Sequence, residues 1–174
     1  MAMNPPLVVV MGVSGSGKST IGRQLADALA LPFLEGDDVH SRANVERMRA
    51  GQSLTDAQRR HWLESLSAQL ARARRDGHGL VVSCSALKRA YRDVLRRGAP
   101  DLCLVHLLAD RVLLAERCAR RQGHYMPLSL LESQFETLEQ PGPDEGALTC
   151  DVGQPPQAIV HALLATLAPK PPSD

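Results

Sequence analysis

The chain has 174 residues, of which 44% are hydrophobic and 22% charged, an ordinary globular composition for a single domain with room for a substantial core. Twenty basic residues against nineteen acidic give a formal net charge of +1, so no global basic field marks the chain for nucleic acid. Four cysteines, at positions 84, 103, 118 and 150, form no C-x-x-C pair, and no apolar stretch reaches the length of a membrane span; zinc, nucleic acid and membrane are not expected partners, and the expected setting is the reducing cytoplasm.

The first element in chain order is the apolar run Leu7–Met11, which reads as a buried strand. It delivers the chain to Gly12–Ser19, GVSGSGKS, which fits the phosphate-binding pattern G-x-x-x-x-G-K-[ST]. Gly12, Gly15 and Gly17 permit positive φ, so that backbone N–H groups of the loop, from Ser14 through Ser16 and on to Thr20, can crowd around phosphate oxygens. The helix that starts at Lys18 adds its N-terminal partial charge. Lys18 is expected to reach the β- and γ-phosphates and Ser19 to ligate Mg²⁺ through its hydroxyl. An ordinary glycine-rich turn is the alternative, but it has no reason to sit between a five-residue apolar strand and an amphipathic helix.

That helix carries Ile21, Leu25 and Leu29 on one face, and Pro32 ends it. Phe33–Glu35 is a short second strand, followed by a helix over about 41–49. Thr55 or Asp56 caps the next helix, which runs to about Asp76 with Trp62, Leu63, Leu66 and Leu70 inward. Leu80–Cys84 is a third strand, 88–96 a helix, 102–108 a fourth strand. Asp110 caps a helix to about Arg121, and another covers about 129–139. Ala147–Val152 is the fifth strand, 157–167 the last helix, and 169–174 a frayed, Pro-rich tail. Apolar strands alternating with helices predict an α/β protein, with five parallel strands covered by helices on both faces. Ligands of such sheets bind beyond the carboxyl ends of the strands. The residues just after strands one, two and three are therefore collected into one site.

Glu35–Asp38 follows strand two directly. A phosphoryl-transfer enzyme needs a carboxylate beside the acceptor hydroxyl, and Asp37 is the candidate base. Glu35 or Asp38 can stand behind metal-bound water. Strand three ends in Ser83-Cys84-Ser85 and not in an aspartate, which argues against a GTPase or motor ATPase and leaves Mg²⁺ to Ser19, phosphates and water. Lys88 and Arg92 share a helical face at i, i+4 and can clamp a carboxylate or phosphate, unless they are simply a solvated basic face. Arg117, Arg120 and Arg121 precede Gly123–Pro127; they are either a helix-end cluster favoured by the macrodipole or the arginines of a mobile lid over about 117–130. His40 and His124 can each bond a hydroxyl.

With these residues in view, the chain resembles the bacterial-type gluconokinases, relatives of shikimate and nucleoside monophosphate kinases. The resemblance rests on Gly12–Thr20; Glu35–His40 with Asn44 and Met48; Gly51, Leu54–Asp56, Arg59 and Trp62-Leu63; Cys84–Arg89 and Tyr91–Asp93; Gly123–Pro127, Ser133–Phe135 and Thr137–Glu139; and Asp151 with Gln154-Pro155. It covers nearly the whole chain. It implies a phosphate-loop kinase fold with a lid, ATP-dependent phosphorylation of D-gluconate at its 6-hydroxyl, and a homodimer. It implies Lys18, Asp37, Arg117 and Arg121 in catalysis, and Arg117, Gln154 and Pro155 near the adenine. Lys88 or Arg92 would meet the acceptor carboxylate, and His40, Arg47 or His124 its hydroxyls. The chain departs from the family at Ser41, usually proline, at Gln58–His61 before Trp62, and at Tyr125, more often phenylalanine. Two other readings stand beside it: a kinase of the same fold for shikimate or another sugar acid, and a nucleotide-binding regulatory module that does not turn over.

Overall fold

A computed structural model describes residues 4–120 and 127–168. Five parallel strands form one sheet: β1 (Leu7–Met11), β2 (Phe33–Glu35), β3 (Leu80–Ser83), β4 (Cys103–Leu108) and β5 (Leu148–Asp151), in the order β2-β3-β1-β4-β5. The helices between them are α1 (Lys18–Leu29), α2 (Arg42–Arg49), α3 (Asp56–Arg75), α4 (Arg89–Gly98), α5 (Arg111–Arg120), α6 (Leu128–Thr137) and α7 (Pro156–Leu167). Two 3₁₀ turns, Gly36–Val39 and Pro143–Glu145, were not expected from the sequence.

Alternation along β1 divides the core. Val9 and Met11 face a layer with Trp62, Leu63, Leu66 and Leu70 of α3 and Tyr91 and Leu95 of α4. Val8 and Val10 face the other side, with Ile21 and Leu25 of α1 and Ile159, Val160 and Leu163 of α7. Successive strand side chains point to opposite faces, so a strand buried on both sides must be apolar throughout, as β1 is. A third, smaller cluster of Val13, Leu87, Leu114 and Leu131 closes over the carboxyl edge.

Register fixes where the loops emerge. Glu35 pairs with Ser83, Val10 with Ser83, and Met11 with His106, so β1, β2 and β3 end at one edge. The helix after β1 lies on one face and the helix after β3 on the other. The crevice between these two strands is therefore the topological switch point, where ligands of such sheets bind.

Helix caps follow local chemistry. The Thr55 hydroxyl accepts from the Gln58 N–H while the Gln58 side chain accepts from the Thr55 N–H, a reciprocal box that starts α3. Ser41 caps α2 by accepting from the Asn44 N–H at 3.2 Å. The Asp110 carboxylate caps α5 through Val112 N–H at 2.7 Å. Among the described residues no helix is long and apolar enough to cross a membrane.

Candidate active site

Two clefts meet at the phosphate loop. The loop leaves β1 at Gly12 and enters α1 at Gly17, whose φ of 97° is open to glycine and strained for other residues. Ser19 and Thr20 lie in the first turn of α1, so their N–H groups have no carbonyl to bond within the helix. Lys18 Nζ arches back to donate to the Val13 carbonyl at 3.1 Å. Ser16 Oγ is buried with no hydrogen-bond partner. Orphaned donors at a helix N-terminus and an unsatisfied buried hydroxyl are what an anionic ligand would complete.

The first cleft, about 310 Å³, is lined by Gly15, Ser16, Gly17 and Thr20 on one side and by Arg117, Arg120, Val152, Gln154 and Pro156 on the other. The Arg117 guanidinium is set in its wall by donating to the Val152 carbonyl at 2.8 Å. Pro155 does not line the cleft; it precedes α7 between two residues that do. Arg120, absent from the residues singled out by the resemblance, lines it.

The second cleft lies across the loop. It is lined by Ser14 and Lys18, by Asp37 of the 3₁₀ turn after β2 and His40 just beyond it, by Met48, Leu54 and Arg59, by Ser85 after β3, and by Leu130 and Gln134 of α6. The turn carrying Asp37 is fixed from three sides. Gly36 N–H donates to Ser83 Oγ at 3.1 Å, and Trp62 Nε1 donates to the Gly36 carbonyl at 2.7 Å. A Cβ on Gly36 would stand 2.0 Å from the Ser83 carbonyl oxygen, so only glycine fits there. The His40 ring stacks on Trp62 with centroids 4.0 Å apart. Burial, reinforced by Arg59 and opposed by Asp37, lowers the His40 pKa to about 4. The imidazole is therefore neutral at pH 7, and its buried Nδ1 has no partner. Gln134 ties α6 to the phosphate loop across this cleft, its Oε1 accepting from Ser14 N–H at 2.7 Å.

Other expected residues are placed elsewhere. Arg92 is not available to an acceptor, contrary to expectation. Its side chain is 1% exposed and its guanidinium donates to both carboxylate oxygens of Glu145, at 2.8 and 2.9 Å, and to the Ala86 and Leu87 carbonyls. The expected i, i+4 clamp therefore fails: helical spacing put both residues on one face, but that face packs inward at Arg92. Lys88 donates to Asp56 at 3.1 Å and does not line the acceptor cleft. Arg47 is exposed on α2, also outside it. Glu35 accepts from the Ser83 hydroxyl and lies 3.7 Å from Arg23. Arg121 and His124, and with them the middle of the expected lid, lie outside the described residues.

Arg59 was not singled out as a site residue from the residues alone. The signal was present: Arg59 precedes Trp62, Leu63 and Leu66 by three, four and seven positions, so it sits on the buried stripe of α3. A cation on an apolar stripe is either an internal ion pair, as Arg92 proves to be, or a ligand group.

The residues fit a nucleotide and its cation. The loop offers N–H donors, Lys18 and the Ser19 hydroxyl; among the described residues no three His, Cys, Asp or Glu side chains gather into a metal cage, so a cation here would be held through Ser19 and phosphate oxygens.

A parallel sheet, a phosphate loop after β1 and a cleft on each side of that loop define a phosphate-loop kinase. A family described as an AAA domain matches residues 7–141. The chain is 45% identical to the gluconokinase of Gluconobacter oxydans over 94% of its own length and 92% of that protein. It superposes on a gluconokinase of Sinorhizobium meliloti with a TM-score of 0.86, at 47% identity over 96% and 94% of the two chains. An unliganded sugar kinase of Janibacter sp. superposes with a TM-score of 0.90, at 44% identity over 95% and 96%. The chain belongs to the gluconokinase family.

Proposed function

We propose that the chain transfers the γ-phosphoryl group of ATP to the 6-hydroxyl of D-gluconate, giving 6-phospho-D-gluconate and ADP. The observation that carries the reading is the phosphate loop, which lines one cleft through Gly15–Gly17 and Thr20 and the other through Ser14 and Lys18. Lys18 belongs to the phosphate loop and also lines the cleft that holds Asp37. A phosphate on the loop and a hydroxyl at Asp37 would thus be neighbours.

ATP with Mg²⁺, when bound, supplies the phosphoryl group and offsets charge on its oxygens. Lys18 meets charge that spreads over the transferring group, and the loop N–H groups position it. Ser19 holds the cation. Asp37 orients the acceptor hydroxyl and accepts its proton. Neutral His40 offers hydrogen bonds to an acceptor hydroxyl without adding charge beside Asp37. Arg117, with Arg120, closes the nucleotide cleft and, with Arg121 and His124, belongs to the expected lid over 117–130, which excludes water. A single kinase domain over the chain, a homodimer and a cytoplasmic setting complete the reading.

The test is ADP release with Mg-ATP and D-gluconate, shikimate, other sugar acids or no acceptor. Release that depends on gluconate is the expected result. Release with another acid would keep the chemistry and move the specificity. ATP affinity with no acceptor-dependent release would favour the regulatory module.

A further inference from the structure

We infer that Gln134 is a positioning residue for phosphoryl transfer, which fixes the peptide between Val13 and Ser14 on which Lys18 rests; the inference rests on the proposed kinase chemistry. The phosphate loop divides at this peptide. Gly15, Ser16, Gly17 and Thr20 line the nucleotide cleft, whereas Ser14 lines the second cleft. The Ser14 N–H, expected among the phosphate donors, donates instead to the Gln134 side-chain oxygen at 2.7 Å, on a helix 120 positions away in sequence.

One peptide group joins two contacts. The Val13 carbonyl and the Ser14 N–H belong to the same planar unit, and in a trans peptide they point in opposite directions. The carbonyl accepts from Lys18 Nζ at 3.1 Å and from Ser16 N–H at 3.2 Å. Gln134 Oε1 holds the other side. Rotation of this peptide would swing the carbonyl away from Lys18, so a bond on its N–H restrains the lysine through a rigid plane. The support is itself fixed. Leu131, one turn before Gln134, packs with Val13 in the cluster over the carboxyl edge. Arg111 pairs with Glu132 at 2.8 Å and lies over the Phe135 ring, 4.9 Å from its centroid. Beyond the end of α6, Glu139 N–H donates to the Leu87 carbonyl at 2.8 Å. A group that meets transition-state charge works best when it is held in place beforehand by locked neighbours. Glutamine supplies the accepting oxygen without a negative charge beside the phosphates, where a carboxylate would repel them.

The experiment measures steady-state turnover with Mg-ATP and D-gluconate for wild type, Gln134→Met, Lys18→Ala and the double variant, together with amide hydrogen exchange of Ser14, which needs no substrate. Gln134→Met keeps the length of the side chain and removes its accepting oxygen. It is expected to lower kcat by about 10²-fold, the scale of a small misplacement of a reacting group, with the gluconate KM unchanged. In the Lys18→Ala background the same substitution is expected to cost nothing further, because the group it positions is gone. Exchange at Ser14 is expected to quicken about 5-fold in Gln134→Met, the worth of one hydrogen bond, while the amides of Val9 and Val10 keep their rates. Wild-type kcat in Gln134→Met would overturn the inference. So would losses that multiply in the double variant, since Gln134 would then act apart from Lys18. A raised gluconate KM at unchanged kcat would also overturn it, by assigning Gln134 to acceptor binding. Should Gln134→Met not fold, a Ser14 amide that exchanges without protection in the wild type would remove the contact and the inference with it. Failure of the wild type to use gluconate would sink the parent reading, and it appears in the turnover arm alone, while exchange still tests the contact.

Discussion

Lys18 and Asp37 line the same cleft from different elements, and their substitutions should separate cleanly. Lys18→Ala is expected to lower turnover by about 10²–10³-fold, the scale of losing one preorganised group that meets transition-state charge; near-normal rates would remove the loop from the chemistry. Asp37→Asn is expected to lower turnover by about 10²–10⁴-fold, the range of general-base contributions, with ATP affinity intact by equilibrium titration. At this scale the phosphate loop was fully legible, because its chemistry is local: eight consecutive residues between a strand and a helix. Asp37 was legible from its place after β2. Arg59 was not, since only the packing of α3 against Tyr91 and Leu54 brings a cation of its buried stripe to the wall of the second cleft.

Among the elements, α4 is the instructive case. Its basic opening reads as an anion clamp, and its position after β3 was correct. The fold then brings Glu145 and Asp144 of the second 3₁₀ turn beneath it from about fifty residues away in sequence, and the cations are spent on structure. No local pattern announces that partnership. Arg92→Met should destabilise the protein by about 3 kcal/mol, because it takes the two-pronged partner from a buried carboxylate and leaves Glu145 to Arg96 and the Gly142 N–H. Arg92→Met with Glu145→Leu should be less destabilised than Arg92→Met alone, as urea midpoints would show; equal loss would mean that the pair contributes through packing only. The strands and long helices were legible from period and length. The two 3₁₀ turns were not, being three and four residues long with no apolar repeat, and one of them carries Asp37 and ends next to His40.

The molecule as a whole joins a sheet apolar enough to be buried on both faces to an edge that gathers its unsatisfied groups. That division predicts acid sensitivity. The His40 pKa falls from 6.5 to about 4 through burial, and burial with Arg92 also lowers that of His106. The unfolded chain therefore binds protons between pH 6.5 and about 4 that the folded chain does not. Stability contributed by neutral His40 is complete above 6.5 and declines as pH falls through this window. Glu145, held at about 2 by its bonds to Arg92, extends the loss from 4.5 downward. His40→Phe, which keeps the stack on Trp62, should flatten the dependence of the urea midpoint on pH between 6.5 and 4; an unchanged slope would show that His40 titrates normally in the fold. The parallel sheet and the gathering of the site at the carboxyl ends of β1, β2 and β3 followed from alternation and the strand-end rule, both of which act on the whole chain; the strand order was not legible, because it is set by pairing between distant segments. The most direct measurement is the NMR spectrum of the product formed from Mg-ATP and D-gluconate. A single phosphoester coupled to the protons on carbon six is predicted; inorganic phosphate with unmodified gluconate, or a phosphoester on another carbon, would contradict the account.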